Sequence, residues 1–441
     1  CCTRRRAAHF ARADLLAPMD TMARARPYRC GLLLLASFLG PACLLHQQAD
    51  RHAADDAAHG QSQEWSMRRR LHKVKSRRRL RPGSHLIHLR PRELSSPADG
   101  PPLLRFAVYS DTHYWVRSST RSAWMRRVAA APVRDGLVVD AAEEVLPLLL
   151  RQLSAFAASG ADFAVHAGDA VCGGSSFQQE GGEFETTLRL YRSLEASVLG
   201  TSWPVYHLPG NHDIHPSGGG TRAWRKAMCA NASRECDAAQ PWGHACDATV
   251  HARTIYRAVC ARAWRVLLLD ATDGIDSDSD GRGHIGATQL GWLRAQLDAS
   301  AAARQSVILV MHQLLVQPPG DGWVDPTQDF IDNREEVLAL LARYDHVRLS
   351  LHGHVHANSI ATRGGVVFVT TASAAEYPMH WREVSVYECE VRLTTHAVDA
   401  PLQRVRSRDA DPRLGRNDIK LGPSLANYVV INTCANSRHR H

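Results

Sequence analysis

Five short clusters carry side chains able to do chemistry: Asp111-Thr112-His113, Gly168-Asp169, Gly210-Asn211-His212-Asp213, His312 and Gly353-His354-Val355-His356. Imidazole nitrogens with carboxylate oxygens suit zinc, manganese or iron, and no cysteine joins them. Two such ions roughly 3.5–4 Å apart can clamp the attacking and leaving oxygens of an in-line phosphoryl displacement and supply hydroxide at neutral pH. Each piece alone is a weak signal. An Asp-x-His triplet arises by chance, and a lone His312 reads first as a satisfied core histidine. The Gly-Asn-His-Asp and Gly-His-x-His tetrads, in this order and each behind an apolar run, are a joint signal for a dinuclear hydrolytic centre.

Residues spread from 111 to 356 converge only if regular elements deliver them to one place. Leu104–Tyr109, Phe163–Ala167, Val205–Leu208, Val266–Leu269, Val307–Met311 and Val347–Leu351 read as buried strands, and nearly every cluster follows one of them. In α/β sheets, ligands gather at the carboxyl ends of strands, where loops set the side-chain directions. Asp140–Ser159 carries Val145, Leu149, Leu153 and Phe156 at helical spacing and stops at Gly160. Thr288–Ala303 and Asn333–Arg343 behave likewise. Strands alternating with helices predict a layered α/β fold. Gly364–Thr371 and Glu383–Leu393 read as later hairpin strands.

The blocks, in this order, resemble those of the calcineurin-like metallophosphoesterase superfamily over roughly residues 103–395. Within it the chain is similar to the class III cyclic-nucleotide phosphodiesterase-like group. The cues are Gly286-Ala-Thr-Gln-Leu-Gly-Trp-Leu293, Asp332-Asn-Arg-Glu-Glu336, Glu376-Tyr377-Pro378 and Arg382. The resemblance implies a four-layer α-β-β-α sandwich of two mixed sheets flanked by helices, and two divalent metal ions (manganese, iron or zinc). It implies that Asp111, His113 and His356 hold the first ion, that Asp169 bridges both, and that Asn211, His312 and His354 complete the second. His212 would be the general acid at the leaving oxygen or a stabiliser of phosphoryl charge, oriented by Asp213. The implied reaction is phosphoester hydrolysis by a metal-bridging hydroxide on a small, nucleotide-like substrate, diesters before monoesters. A phosphomonoesterase, a nucleotide pyrophosphatase and a non-catalytic metal-binding interaction protein are the rivals. Purple acid phosphatases carry a Tyr three residues after the bridging Asp; Cys172 stands there here and argues against that branch.

The formal net charge of +9 suggests a polyanion binder until it is located. Residues 1–100 hold 19 Lys and Arg against 8 Asp and Glu, a net of +11, which leaves 34 basic and 36 acidic residues beyond them, a net of −2. No nucleic-acid polymer is therefore expected as a partner of the main domain. The expected organisation is a gene-model extension over 1–21, a signal peptide or leader over 22–45 and a basic disordered linker over 46–100. A catalytic domain follows over 101–400, with a Cys-rich insertion at 217–260, and a C-terminal tail over 401–441. Arg24, Arg26 and Arg29 ahead of an apolar run ending at Leu45 fit secretory entry, with a signal anchor or plastid-type leader as alternatives and no stable membrane span once a leader is removed. Cys229, Cys236, Cys246 and Cys260 read as one or two disulfides stapling the insertion, or as unpaired loop thiols. The sequon Asn231-Ala232-Ser233 lies in the same segment. Asp276, Asp278 and Asp280 read as a solvated acidic turn, since Ala287 stands where a calcium loop needs Glu.

Overall fold

Alternation at period two decides which face each strand gives to which core. In β1 (Leu104–Tyr109), Leu104, Phe106 and Val108 enter one apolar cluster, and Ala107 and Tyr109 enter another. Such side chains stabilise by about 1.5–3 kcal/mol each when fully buried. A one-residue slip in register would exchange the two faces.

The structure, a computed structural model, describes residues 100–114, 139–171, 181–214, 223–224, 228, 245–250, 255–261, 263–272, 281–320, 324–410 and 417–433. Residues 1–21, the leader, nearly all of the linker, Cys172, His215, Arg222, Arg225, Cys229, the sequon, Cys236 and the 276–280 acidic turn lie outside them. No helix among the described residues is long and apolar enough to cross a membrane.

The first sheet runs β13-β12-β11-β1-β2-β3, with β2 Phe163–Ala167, β3 Val205–Leu208, β11 His380–Val386, β12 Glu390–Ala397 and β13 Tyr428–Asn432. Its strands β1, β2 and β3 are parallel, and Tyr109, His166 and His207 stand level at their carboxyl ends. The second sheet runs β4-β5-β6-β7-β8-β10-β9, with β4 Ala245–Val250, β5 Ile255–Ala261, β6 Trp264–Leu268, β7 Ser306–Val310, β8 Val347–His352, β9 Ser359–Arg363 and β10 Val366–Thr370. In it β6, β7, β8 and β10 are parallel, with Leu268, Val310, Leu351 and Val369 level. Phe106, Val108 and Val165 of one sheet meet Val266, Val310 and Leu351 of the other in the central core. Helices α1 (Val139–Ala158) and α2 (Gly181–Leu199) cover the outer face of the first sheet, and α3 (Ala287–Ala302) and α4 (Arg334–Leu341) cover that of the second. The expected four-layer sandwich of two mixed sheets is what is found.

Three expectations change. The stretch read as a C-terminal tail supplies α5 (Pro401–Ala410), α6 (Asn417–Leu421) and β13, which pairs antiparallel with β12. The second half of the Cys-rich insertion is an edge hairpin, β4 with β5, and Cys260 on β5 is disulfide-bonded. The hairpin's Tyr256 packs on Trp292 of α3, with ring centroids 4.7 Å apart. Helix α2 was not foreseen. Phe184, Leu188 and Tyr191 give it a narrow apolar stripe among many charged neighbours.

Candidate metal centre

The seven residues expected as ligands leave the level carboxyl ends of the two parallel strand sets. Asp111 and His113 follow β1, Asp169 follows β2, and Asn211 follows β3. His312 follows β7, and His354 and His356 follow β8. Five of the seven adopt a left-handed backbone: Asp111 at φ 54°, His113 at 41°, Asp169 at 57°, His354 at 74° and His356 at 53°. This conformation is uncommon outside glycine and costs on the order of 1–3 kcal/mol per residue, so it persists only where the surroundings enforce it. Glycines provide the room. A Cβ on Gly168 would lie 2.4 Å from His312 Nδ1, one on Gly210 2.1 Å from Asp169 Oδ1, and one on Gly353 2.8 Å from Asp111 Oδ2.

The loops bring together two groups of donor atoms. Asp111, His113 and His356 form one, and Asp169, His312 and His354 the other, with the ligand atoms of each group within 4.8 Å of one another. His113 and His212 also lie around Asp169 in a third group at the same spacing. Asp169 Oδ2 stands 3.1 Å from His312 Nε2 and 3.9 Å from His113 Nε2, and so faces both groups. Asp111 Oδ1 is 3.4 Å from His356 Nε2.

The tautomers follow from the outer partners. His312 Nδ1 donates to Ala167 O at 2.7 Å, and His356 Nδ1 donates to Glu376 Oε2 at 2.9 Å. His354 Nε2 faces Asp329 Oδ1 at 3.5 Å. The opposite nitrogens then turn inward: His113 Nε2 and His356 Nε2 stand 3.0 Å apart, and His354 Nδ1 and His312 Nε2 stand 3.2 Å apart. In each pair the outer hydrogen bond fixes the tautomer of one neutral ring, His356 or His312, whose inner nitrogen then offers a lone pair, while His113 Nδ1 and His354 Nε2 are buried without a hydrogen-bond partner. Asp111 Oδ1 and Asn211 Oδ1 are buried without a hydrogen-bond partner. Buried polar atoms are otherwise almost always satisfied, so this donor set fits cations.

The charges agree. Burial would lower His312, but the Asp169 carboxylate raises it to about 9. Burial opposes His356 too, and Glu376 with Asp111 pushes it up to about 10. Burial holds His113 down at about 4 and His354 at about 3. Each facing pair thus shares one proton when no metal is bound, and metal binding must displace it.

Asp213 was expected to orient the His212 ring. Instead its carboxylate accepts the backbone N–H groups of Gly210 at 3.0 Å, Val171 at 3.1 Å and Ala170 at 3.2 Å. Burial, then the charge of Asp169, raises it to about 7 against those donors. Asp213 therefore staples the Asn211–His212 turn to the Asp169 loop. A short carboxylate at that spacing reaches backbone more readily than the ring beside it. His212 N donates to Asp169 Oδ1 at 2.9 Å, and the His212 ring meets His113 edge-on at 5.0 Å.

Three of the residues that pointed to a subgroup, Gln289, Asn333 and Arg382, turn out to be scaffold. Gln289 holds both backbone groups of Asp270, at 2.8 Å each, and Asn333 does the same for Ile285 at 3.1 and 2.8 Å. Arg382 is fully buried and spends its guanidinium on Thr371, Thr395, Asn358, Thr370 O and Ala426 O. It does not fold toward a substrate. His352 is structural, with Nδ1 on Gln313 O and Nε2 on Ser350, both at 2.8 Å. His207 packs inside the fold and engages Glu195 of α2 at 3.0 Å. Asp329, Glu376 and Lys420 carry partnerships at the centre that the sequence reading missed. Glu376 stood in a quoted motif, while Lys420 gave no local signal.

The sequence matches the family model of the calcineurin-like phosphoesterases over residues 104–358. Among curated proteins it is similar to the 3',5'-cyclic adenosine monophosphate phosphodiesterase CpdA of Escherichia coli strain K12, 26% identical over 192 residues, covering 43% of this chain and 57% of that protein. It is also similar to a probable cyclic nucleotide phosphodiesterase of Psychrobacter arcticus, 26% identical over 129 residues, covering 29% of this chain and 43% of that protein. The matches thus span about half the length of these relatives. Among solved structures, a dimetal phosphatase from Danio rerio superposes with a TM-score of 0.47 at 16% identity, covering 67% of this chain and 96% of that one.

Proposed function

The chain belongs to the calcineurin-like phosphoesterase family, and from that premise we propose that it hydrolyses small phosphodiesters of nucleotide-like character with two divalent ions. The observation that carries this reading is the pair of inward-facing donor groups on either side of Asp169. Asp111, His113 and His356 would hold one ion and Asn211, His312 and His354 the other, with Asp169 serving both. When bound, the ions supply Lewis acidity to phosphoryl oxygens and a nucleophile at neutral pH. The chain's own residues supply position and charge. Asp111 and Asp169 are buried, so their charges act with little screening. His212, beside Asp169 and His113, offers a proton to the leaving oxygen or stabilises developing phosphoryl charge. Asp213 keeps the turn that carries it in place.

The preference for diesters rests on the names of the relatives above and on the surroundings of the ligands. A monoester dianion brings more charge and gains from extra cations. Of the arginines available for that task, Arg382 is committed to neutral acceptors in the scaffold. A hydrolysis screen over cyclic nucleotides, dinucleotide polyphosphates, glycerophosphodiesters and aryl phosphates, with manganese, iron or zinc added, tests the reading. A tenfold or greater kcat/KM advantage of mono-aryl over bis-aryl phosphate with the same leaving group would overturn the diester preference.

Secretory entry is proposed with it, supported by the apolar run ahead of residue 46, the sequon at Asn231 and the disulfide-bonded Cys260. Mass mapping under non-reducing conditions of protein from its native cell tests this, and free thiols with an intact leader would refute it.

A further inference from the structure

The metal-facing histidine His356 is held from behind by residues far outside the stretch that matches the family model, which ends at 358. Glu376, in the loop between β10 and β11, is buried and accepts from His356 Nδ1 at 2.9 Å. Lys420 of α6, also buried, places its Nζ 3.5 Å from the same Glu376 oxygen. The two segments are tied at several further points. Asn358 N donates to Lys420 O at 3.0 Å, and Asn358 Nδ2 donates to Leu421 O at 3.3 Å. Arg382 grips Asn358 Oδ1 at 3.0 Å and Ala426 O at 2.6 Å. Gly422, at φ +74°, lets the chain pass so close that a Cβ there would lie 2.2 Å from Asn358 O. Residues 417–427 therefore clamp the backbone two positions beyond His356 and present a cation to the carboxylate behind its ring.

We infer that Glu376 and Lys420 are positioning residues of the metal centre, and that the C-terminal segment 417–427 is a working part of the site. The inference rests on the two-metal reading above. A carboxylate behind a ligating imidazole keeps the proton on the outer nitrogen, fixes the ring's orientation and makes the inner nitrogen a stronger donor. Lys420 holds the Glu376 carboxylate in place from 3.5 Å, so its loss acts on His356 at one remove. Asp329 stands behind His354 at 3.5 Å, a longer and more exposed arrangement on the opposite ion's side. The two ions should accordingly respond to different outer carboxylates.

The test is a cobalt or zinc titration of the full chain, followed by equilibrium dialysis and by the visible d–d bands of cobalt. Glu376→Gln should weaken one of the two ions about 10- to 100-fold and alter its d–d bands, leaving the other ion's affinity unchanged. Lys420→Met should do the same to a smaller extent, and Glu376→Asp should restore part of the loss. Should Glu376→Gln not fold, Lys420→Met alone decides, read on the same bands. Unchanged affinities and bands in a folded variant, with two ions bound by the wild type, would overturn the inference alone. So would an equal loss at both ions, which marks a merely structural effect. A wild-type chain that takes up no metal would instead overturn the proposed function, and the inference with it.

Discussion

Adding one methyl group at Gly210 should disable the centre while leaving the fold standing. A Cβ there would sit 2.1 Å from Asp169 Oδ1, 2.5 Å from Asp169 N and 2.7 Å from Asp169 Cγ, whereas ordinary contact begins at 3.4 Å. More than 1 Å must be found, and the neighbours are poorly placed to give it. Asp169 is buried, its Oδ1 takes the His212 N–H at 2.9 Å, and its carbonyl takes the His113 N–H at 3.1 Å. Overpacking of this kind costs about 1–3 kcal/mol of stability, which a domain with so large a core should survive. The site is less tolerant. A shift of about 1 Å in a positioning group costs on the order of 10²-fold in rate, or about 2.7 kcal/mol of barrier. Asp169 faces both donor groups, so Gly210→Ala should also lower the metal content below two per chain. The control is Gly291→Ala in α3, where an added Cβ meets nothing within 4 Å. It should stabilise by about 0.5–1 kcal/mol through helix propensity, without touching turnover. Elemental analysis, thermal melting and kcat/KM on a bis-aryl phosphate read the pair. A Gly210→Ala protein with two metals and turnover within a few-fold of wild type would refute the packing argument.

Asp169→Asn should reduce affinity for both ions together, since one carboxylate faces both groups; dialysis showing loss of only one ion would contradict this. His212→Ala should keep its metals yet lose kcat, least for substrates whose leaving group is already a weak base. Equal losses on nitrophenolate and alkoxide leaving groups would leave charge stabilisation as its role. Strong chelation should abolish turnover and a divalent ion restore it, and full activity at near-zero metal content would sink the two-metal reading. Away from the centre, burial would raise Glu195, but His207 and Arg192 hold it down to about 2 from an ordinary 4.5. A depressed carboxyl stabilises the fold above its unfolded value, so this contribution, on the order of 3 kcal/mol, should fade as pH falls from about 4.5 to 2. The stability gap between wild type and Glu195→Gln, from denaturant melts across that range, should shrink; a constant gap would contradict it.

The strands that carry the centre were legible in the sequence because each is a short, local pattern. Leu104–Tyr109, Phe163–Ala167 and Val205–Leu208 are bounded where their apolar runs are bounded. Burial on both faces leaves such runs uninterrupted, so the boundary is written in the residues themselves. The donor residues were legible for a similar reason: tight loops between strand and ligand force glycine beside Asp169, Asn211 and His354. The edge elements were not. Strand β9 is half exposed and carries no strong pattern of its own, whereas Tyr428–Ile431 of β13 is an apolar run whose antiparallel pairing with β12 only the tertiary structure shows. Composition alone could not say that Arg382 serves the scaffold, because a buried arginine and a phosphate-binding arginine look alike until their acceptors are known. Nor could spacing predict that Asp213 would take three backbone N–H groups rather than the neighbouring ring. The tautomers of His312 and His356 are set by Ala167 O and Glu376, partners 145 and 20 residues away. Residue type and local spacing determined which atoms can bind a cation. Which nitrogen of each ring turns inward depended on partners that only the packing of two sheets and a returning C-terminal segment brings within hydrogen-bonding distance.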